Sequence, residues 1–424
     1  MYYKTFITHA AFYIITINNI PENQQNNKKQ NNPLNPTSPI SFQLPEAEVI
    51  SKPQAPFYLF AKGFSGVCRF IQICFGGISM ALLLSILAVF PVLNLISLGY
   101  LMKASGKVAE SGRFRDGFIG FREASFFGGI VFGIWFCCWP IRLGIDLAGD
   151  AALISPGRVI PQRIEIGLLL LLLITVGHIL WALARGGRFR HFVWPAPLRF
   201  ILWLRDPLGR ELPVIQWSTL IDGKAIFACF KVGLAGFIGA LTWLILPVWV
   251  IFMAHTLSKG QGTLLSLLGG FMLAFVAVYL PFLQVQYVSE PHWSNLFDIR
   301  KVRSRFQHAP FAFAFGLLVT LLFSIPLYLL KIELAPRELA WLPSLFFVVF
   351  IFPARLICGW ATHRSFRKAD RTHFVWRWIC RSGIMGIGLV YGIMVFFSQF
   401  LTWHGTWGLL EQHAFMVPAP WLSL

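Results

Sequence analysis

Apolar stretches free of charge recur along the chain at 70–102, 124–141, 166–184, 232–258, 260–289, 306–330, 339–354 and 382–410. A helix crosses the hydrocarbon core of a bilayer with roughly 20 such residues, and most of these runs reach that length. The cleanest is "IGLLLLLLITVGHILWALA" at 166–184. The two short runs, 124–141 and 339–354, gain length if the flanking Arg142 or Arg355 snorkels or pairs. The pattern predicts an all-α, polytopic helical membrane protein with about eight transmembrane helices.

The first run needs separate treatment. Arg69 and Lys103 enclose 33 uncharged residues, about 50 Å as helix, too long for one straight span. Either a kinked helix starts outside, or a hairpin at Pro91 returns the chain to an inside N-terminus. Lys52, Lys62 and Arg69 favour the hairpin.

Composition agrees with a membrane class. Of 424 residues 56% are hydrophobic and only 13% charged, more apolar surface than a soluble domain of this size can bury. The net charge of +18 raises nucleic acid as a partner, but its distribution points elsewhere. Segments 103–125, 185–224, 290–308 and 355–381 carry 23 Lys and Arg, whereas the intervening 142–165, 259, 331–338 and 411–424 carry 6. That alternation is the positive-inside pattern, which places the basic set in the cytoplasm and the C-terminal tail, with Trp403, Trp407 and Trp421, outside. No nucleic-acid-binding signature accompanies the charge. Residues 1–64 are expected to be a disordered N-terminal segment, Asn/Gln/Pro-rich over 18–45 and without apolar periodicity. The opening "MYYKTFITHAAFYIITI" has one Lys and no small-residue cleavage site, which argues against a signal peptide.

The tetrapeptide "HFVW" occurs twice, as His191–Trp194 and His373–Trp376. Its flanks also match. "WALARGGRFR" precedes the first copy and "WATHRSFRK" the second; Lys231-x-Gly233-x-x-Gly236 follows the first, and Arg381-x-Gly383-x-x-Gly386 corresponds to it in the second. Far upstream, Pro91-Val92-Leu93-Asn94 pairs with Pro281-Phe282-Leu283-Gln284, and Phe114, Phe118 and Arg122 pair with Trp293, Phe297 and Lys301. Short matches in one order predict a tandem duplication of a four-helix unit. The first unit is 65–255, with an extra segment at 195–224, and the second is 256–424. An even number of spans gives both units the same orientation, as in parallel-repeat transporters.

Six prolines (91, 140, 247, 281, 326 and 353) interrupt apolar runs and are expected to kink them. Gly233, Gly236 and Gly239, and Gly383, Gly386, Gly388 and Gly392, read as helix-packing faces. "PAPLRFILWLRDPLGRELPVIQW" mixes Arg199, Arg205 and Arg210 with Trp203 and Trp217, which fits an interfacial helix on anionic lipid. Phe114, Phe118 and Phe121 suggest a shorter one. Arg142, Asp146 and Asp150 share a helical face, as a solvated ion pair would. The seven cysteines have neither zinc-site nor disulfide spacing.

Few polar side chains lie inside the apolar runs: Asn94, His178, Gln284, Gln286 and Arg355. Counted from the nearest charge on the basic side, Asn94 and Arg355 lie about 13 Å deep and His178 and Gln284 about 10 Å. They are expected to form one layer in the cytoplasmic half of the membrane. No Gly-x-Ser-x-Gly, Walker loop or His-Glu-x-x-His is present, and the ten His do not cluster with metal-ligand spacing. Enzyme activity, a metal and a cofactor are therefore not expected. Two functional classes remain: a conduit or carrier for a small solute or lipid, and a non-transporting scaffold that binds lipid or other membrane proteins. The expected partners are membrane lipids, with anionic headgroups at the basic segments.

The stretches "FPVLNLISLGYLMKASGKVAESGRFRDGFIGFREA" and "PLYLLKIELAPRELAWLPSLFFVVFIFPARLICGWA" resemble a family of uncharacterised multi-span proteins from planctomycete bacteria. Pro91 followed by Gly99-Tyr100 is also similar to a wider bacterial family of unknown function with a proline-broken first span. The resemblance covers roughly 80–125 and 280–365. It implies a bacterial inner-membrane protein, carries no activity and transfers no site residues.

Overall fold

The computed structural model describes residues 56–154, 159–205, 222–254, 256–329 and 341–401. The chain divides into Met1–Phe60 and Ala61–Leu424. Only the start of one helix is described in the first unit, and all the other described elements belong to the second. Among the described residues there are helices and no strands. They are α1 (Pro56–Val89), α2 (Pro91–Ser111), α3 (Phe121–Ile154), α4 (Val159–Ala184), α5 (Phe189–Val193), α6 (Pro197–Arg205), α7 (Gly223–Ala254), α8 (Lys259–Ser289), α9 (Ile299–His308), α10 (Pro310–Leu329), α11 (Trp341–Arg367) and α12 (Phe374–Leu401). Single 3-10 turns at Phe114–Gly117 and Trp293–Leu296 come after α2 and α8. The expected disordered segment 1–64 lies outside the described residues up to 55, and α1 is already helical from Pro56.

Among the described residues six helices are long and apolar enough to cross a membrane, and seven if the pair α9–α10, bent by 116° at Ala309, counts as one span. The sequence pattern predicts eight. The runs 306–330 and 382–410 extend into residues outside the described set, which shortens the stretch that qualifies. The helices are apolar outside as well as inside. Only 17% of the best window of α4 is buried, so Leu169, Leu173 and Ile174 face outward, as lipid contact requires. This is a multi-pass membrane protein.

The hairpin reading of the first run holds. Phe90 is extended (φ −89°, ψ 132°) with Pro91 opening α2, where the missing N–H costs nothing. α1 then doubles back along α2. Asn94 Nδ2 donates to the Ala88 carbonyl at 3.1 Å, Ser97 Oγ to the Leu84 carbonyl at 3.1 Å, and Tyr100 Oη to Met80 Sδ at 3.0 Å. The pairs step apart symmetrically from residue 90, as antiparallel helices must. The other five prolines behave differently: α3, α7, α8, α10 and α11 continue through them as helices.

One hydrophobic core joins α2, α7, α8, α10 and α11. α2 packs on α7 and α11, α8 on α7 and α12, and α10 on α11 and α12. α3, α4 and α5 form a separate group around Ile130, Ala182 and Phe192. α4 ends at a pair of glycines in the left-handed region, Gly186 (φ 99°) and Gly187 (φ 61°). Their N–H groups donate to the carbonyls of Leu183 and Ala182 and close the helix.

Three of the basic connections, within 103–125, 290–308 and 355–381, meet at one end. The Phe114 ring stacks on Trp360 at 6.3 Å, a His363 ring nitrogen bonds the Ala109 carbonyl at 3.0 Å, and Thr372 bonds the carbonyls of Gln307 and His308. The segment around Phe114, Phe118 and Phe121 is thus not an interfacial helix. It is a 3-10 turn tied to α11, with Phe118 edge-on to Phe352 at 5.1 Å. Of the 195–224 segment, α6 is described and exposes Leu198, Phe200 and Leu204; residues 206–221, with Arg210 and Trp217, lie outside the described residues. Arg142, Asp146 and Asp150 share a face of α3 but form no ion pair, since the ion pairs among the described residues are Lys107–Glu110, Lys301–Glu290 and Arg305–Glu290.

Candidate functional site

Arg355 lies midway along α11, two residues after Pro353, and is 1% exposed. One face of α11 is buried along its length by Ser344, Val348, Ile351, Arg355, Cys358, Thr362 and Ser365, whose alternating spacings of three and four are those of one helical stripe. Arg355 Nη1 donates to Gln284 Oε1 of α8 at 2.5 Å. Gln284 is fully buried and passes the connection on, donating from Nε2 to the Gly236 carbonyl of α7 at 3.2 Å. Among the described residues, Nε and Nη2 of Arg355 have no hydrogen-bond partner and no carboxylate pairs with it. A guanidinium keeps its charge in proteins, so three helices surround a cation with two donors unused.

One turn further on, Cys358 Sγ and Thr320 Oγ1 of α10 lie 3.3 Å apart, and Thr320 Oγ1 donates to the Gly316 carbonyl. Thr362 and Ser365 bond carbonyls of their own helix. A buried strip of small polar groups therefore runs along α11 from Arg355 toward the basic end.

The expected layer is resolved into different places. Arg355 and Gln284 meet. Asn94, in the first turn of α2, donates to the Ala88 carbonyl in the last turn of α1. Gln286 is fully buried but faces the turn after α8, where its Nε2 donates to Asn295 Oδ1 at 3.4 Å and its Oε1 has no partner among the described residues. His178 does not belong to the core at all: it lies in the α3–α4–α5 group, its Nε2 bonded to the Phe192 carbonyl at 2.7 Å. A count from the nearest loop charge gives these residues similar heights, but it carries no information about the direction a side chain takes around the axis.

Gln286 leads into a network at the basic end. Asn295 Nδ2 donates to the Glu290 carbonyl at 2.8 Å, Lys301 Nζ to Glu290 Oε2 at 2.6 Å, and Arg305 Nη2 to Glu290 Oε1 at 3.2 Å. The Lys301 hydrogen bond, with the charge of Arg305 beside it, holds the Glu290 carboxyl below its ordinary range. Burial lowers Arg305, whose guanidinium also stacks on Phe366 at 4.6 Å.

Arg185 escaped the sequence reading. It is buried at the end of α4, with Nη2 donating to the carbonyls of His191 at 2.7 Å and Trp194 at 2.9 Å. Its guanidinium lies 5.5 Å over Trp181. It therefore folds the connection that holds the first HFVW, and burial together with Arg185, Arg190, Arg188 and Arg199 pushes His191 down to about 4. The only sequence signal is Trp-Ala-x-x-Arg, which recurs in α11, where Arg364 lies 5.2 Å over Trp360.

No protein family, curated protein or solved structure matches the chain.

Proposed function

We propose that this chain is a carrier or conduit for a small anionic solute or lipid in a bacterial inner membrane, and not an enzyme. The observation that carries the reading is Arg355: a charge at mid-helix depth, shielded from water, with two donors unsatisfied. Holding such a cation without a carboxylate costs several kcal/mol, and a transiently bound anion of the cargo would offset that cost. Kinship with the planctomycete family belongs to the same proposal.

The architecture of the proposal is two four-helix units from a tandem duplication, α2, α3, α4 and α7 followed by α8, α10, α11 and α12, with α1 folded back on the first unit and the basic end in the cytoplasm. Its local support is the matched Trp181–Arg185 and Trp360–Arg364 stacks, the 3-10 turn after α2 and after α8, and the pairing of α2 with α7 as of α8 with α12. Each HFVW lies against the second helix of its unit: Phe192 in the space left by Gly133 of α3, and Trp376 on Phe311 of α10 at 5.3 Å. Against a strict copy, α8 runs straight through Pro281 where the first unit folds back at Pro91, and α11 packs on α2 while α4 stays outside the core.

The scaffold reading draws on α6, whose exposed Leu198, Phe200 and Leu204, interspersed with Arg199 and Arg205, suit a lipid surface or a membrane-protein partner. Cys358 decides between the two. In full-length protein with Cys358 as sole cysteine, and in a second protein with Gln284→Cys as sole cysteine, a membrane-impermeant thiol reagent is applied from each side. A carrier exposes at least one of the two during its cycle and becomes labelled. Folded protein that stays unlabelled from both sides would leave the scaffold as the better reading.

A further inference from the structure

A lateral groove of about 790 Å3 opens between α8, α9, α10 and α12, within the range of small-molecule and lipid pockets. Its wall is apolar and aromatic, with Phe275 and Phe282 from α8 and Phe313 from α10. On the α12 side it exists because of glycine: among the described residues nothing lies within 4 Å of where a Cβ on Gly386 would sit. Just beyond, Gly388 closes on Val278, where a Cβ would sit 2.7 Å from Cγ2.

The polarity of the groove follows from chain direction. α8 runs toward the basic end and α12 runs away from it, so Trp378 lies near the mouth, Phe282 part-way in, and Phe271 and Leu389 lie deep. The eleven residues from Trp378 to Leu389 give about 16 Å, half of a hydrocarbon core of roughly 30 Å. The groove therefore has the depth of one leaflet. At its mouth stand Arg303 of α9, Arg381 of α12 and Ser382. Arg381 lies 5.4 Å over the Trp378 ring, an aromatic anchor at headgroup level. Neither arginine has an ion pair among the described residues, because Glu290 is taken by Lys301 and Arg305.

We propose that this groove binds an anionic phospholipid of the leaflet on the basic side. Its phosphate is held between Arg303 and Arg381, and one acyl chain lies against Phe275, Phe282 and the bare backbone of Gly386. An apolar helix seated in the groove would leave both guanidinium groups unpaired, whereas a phosphate accepts from both. The site does not depend on transport, since a non-transporting protein would hold the same lipid.

The test uses full-length protein in detergent, with native mass spectrometry after addition of phosphatidylglycerol or phosphatidylcholine carrying the same acyl chains. One phosphatidylglycerol per chain should be retained over phosphatidylcholine by about 25-fold, about fivefold per arginine. Arg303→Ala with Arg381→Ala should remove the preference, and Arg381→Gln alone should reduce it about fivefold. Both arginines are exposed, so monodisperse protein is expected. Arg199→Ala with Arg205→Ala on α6 should leave retention unchanged. Gly386→Leu, which fills the groove and leaves the charges alone, should lower retention of both lipids, and millimolar glycerol phosphate should not displace the bound lipid. Equal retention of the two lipids, equal loss in the α6 pair, displacement by glycerol phosphate, or no effect of Gly386→Leu would each overturn the assignment.

Discussion

Gly99 of α2 and Gly233 of α7 cross with no room for a side chain on either. A Cβ on Gly99 would lie 1.8 Å from the Cys229 carbonyl oxygen, and one on Gly233 would lie 1.8 Å from that of Leu95. The obstacles are backbone, not the far end of a flexible side chain, so an alanine at either position has to push the helices apart. Gly99→Ala or Gly233→Ala should cost about 3 kcal/mol, the upper end for overpacking. Gly383→Ala, with nothing among the described residues within 4 Å of its Cβ, should instead gain up to about 1 kcal/mol from helix propensity. Thermal unfolding of the purified protein reads both, and equal effects at positions 99 and 383 would show that the crossing is looser than described.

Stability and function should part company at Arg355. Replacing a buried, partly satisfied charge by an apolar side chain of similar length removes a desolvation cost, so Arg355→Met should be neutral or up to about 3 kcal/mol stabilising. Gln284→Leu leaves the guanidinium and the Gly236 carbonyl without this partner and should cost about 2 kcal/mol. In the double variant Gln284→Leu should be much less harmful than alone, because the charge it strands is gone. A strongly destabilised Arg355→Met would mean that the guanidinium is better satisfied than its two free donors imply.

These two relationships were unequally legible. Arg355 stood out because a charge inside an apolar run is costly wherever it points, and counting residues from the nearest loop charge put Gln284 at a similar depth. That count fixes height along a helix and nothing else, so His178, at the same height, belongs to a different group of helices. The Pro91 hairpin could be anticipated from 33 uncharged residues that no single span accommodates. The glycine stripes could not be sorted: Gly233 carries a backbone crossing, while Gly383 and Gly386 open onto free space, and only the partner helix makes the difference. Arg185 was hidden because a basic residue at the end of an apolar run looks like any loop charge, while its partners are carbonyls up to nine residues downstream.

The pH response should originate at His191. Its imidazole is pushed down to about 4, first by burial and then by Arg185, Arg190, Arg188 and Arg199, from an ordinary value of roughly 6.5. Between those values the unfolded chain binds the proton and the folded one does not. The stability that neutral His191 allows is therefore complete above about pH 6.5 and is lost progressively as the pH falls toward about 4. His191→Gln should flatten the decline of thermal stability between pH 7 and pH 5. Hydrogen exchange in the connection held by Arg185 should rise with acid in the wild type and less in the variant. An unchanged acid limb in His191→Gln would assign the response to another group.

The orientation of the whole molecule rests on its basic end. Gly112, the 3-10 turns, α9 and residues 363–373 touch one another there, so the segments 103–125, 290–308 and 355–381 occupy the same side of the bilayer whatever the side is. Lys and Arg are retained in the cytoplasm during insertion, and those segments, with 185–224, hold 23 of them. Reporter fusions after Gly120, Arg205, Arg300 and Asp370 should all read cytoplasmic. α12 departs from the same end and runs for 28 residues, about 42 Å as helix, longer than a core of roughly 30 Å, so a fusion after Leu424 should read external. A periplasmic signal from one of the four internal fusions would break the shared end itself, and with it the route by which an anion meeting Arg303 or Arg381 at the surface could approach Arg355.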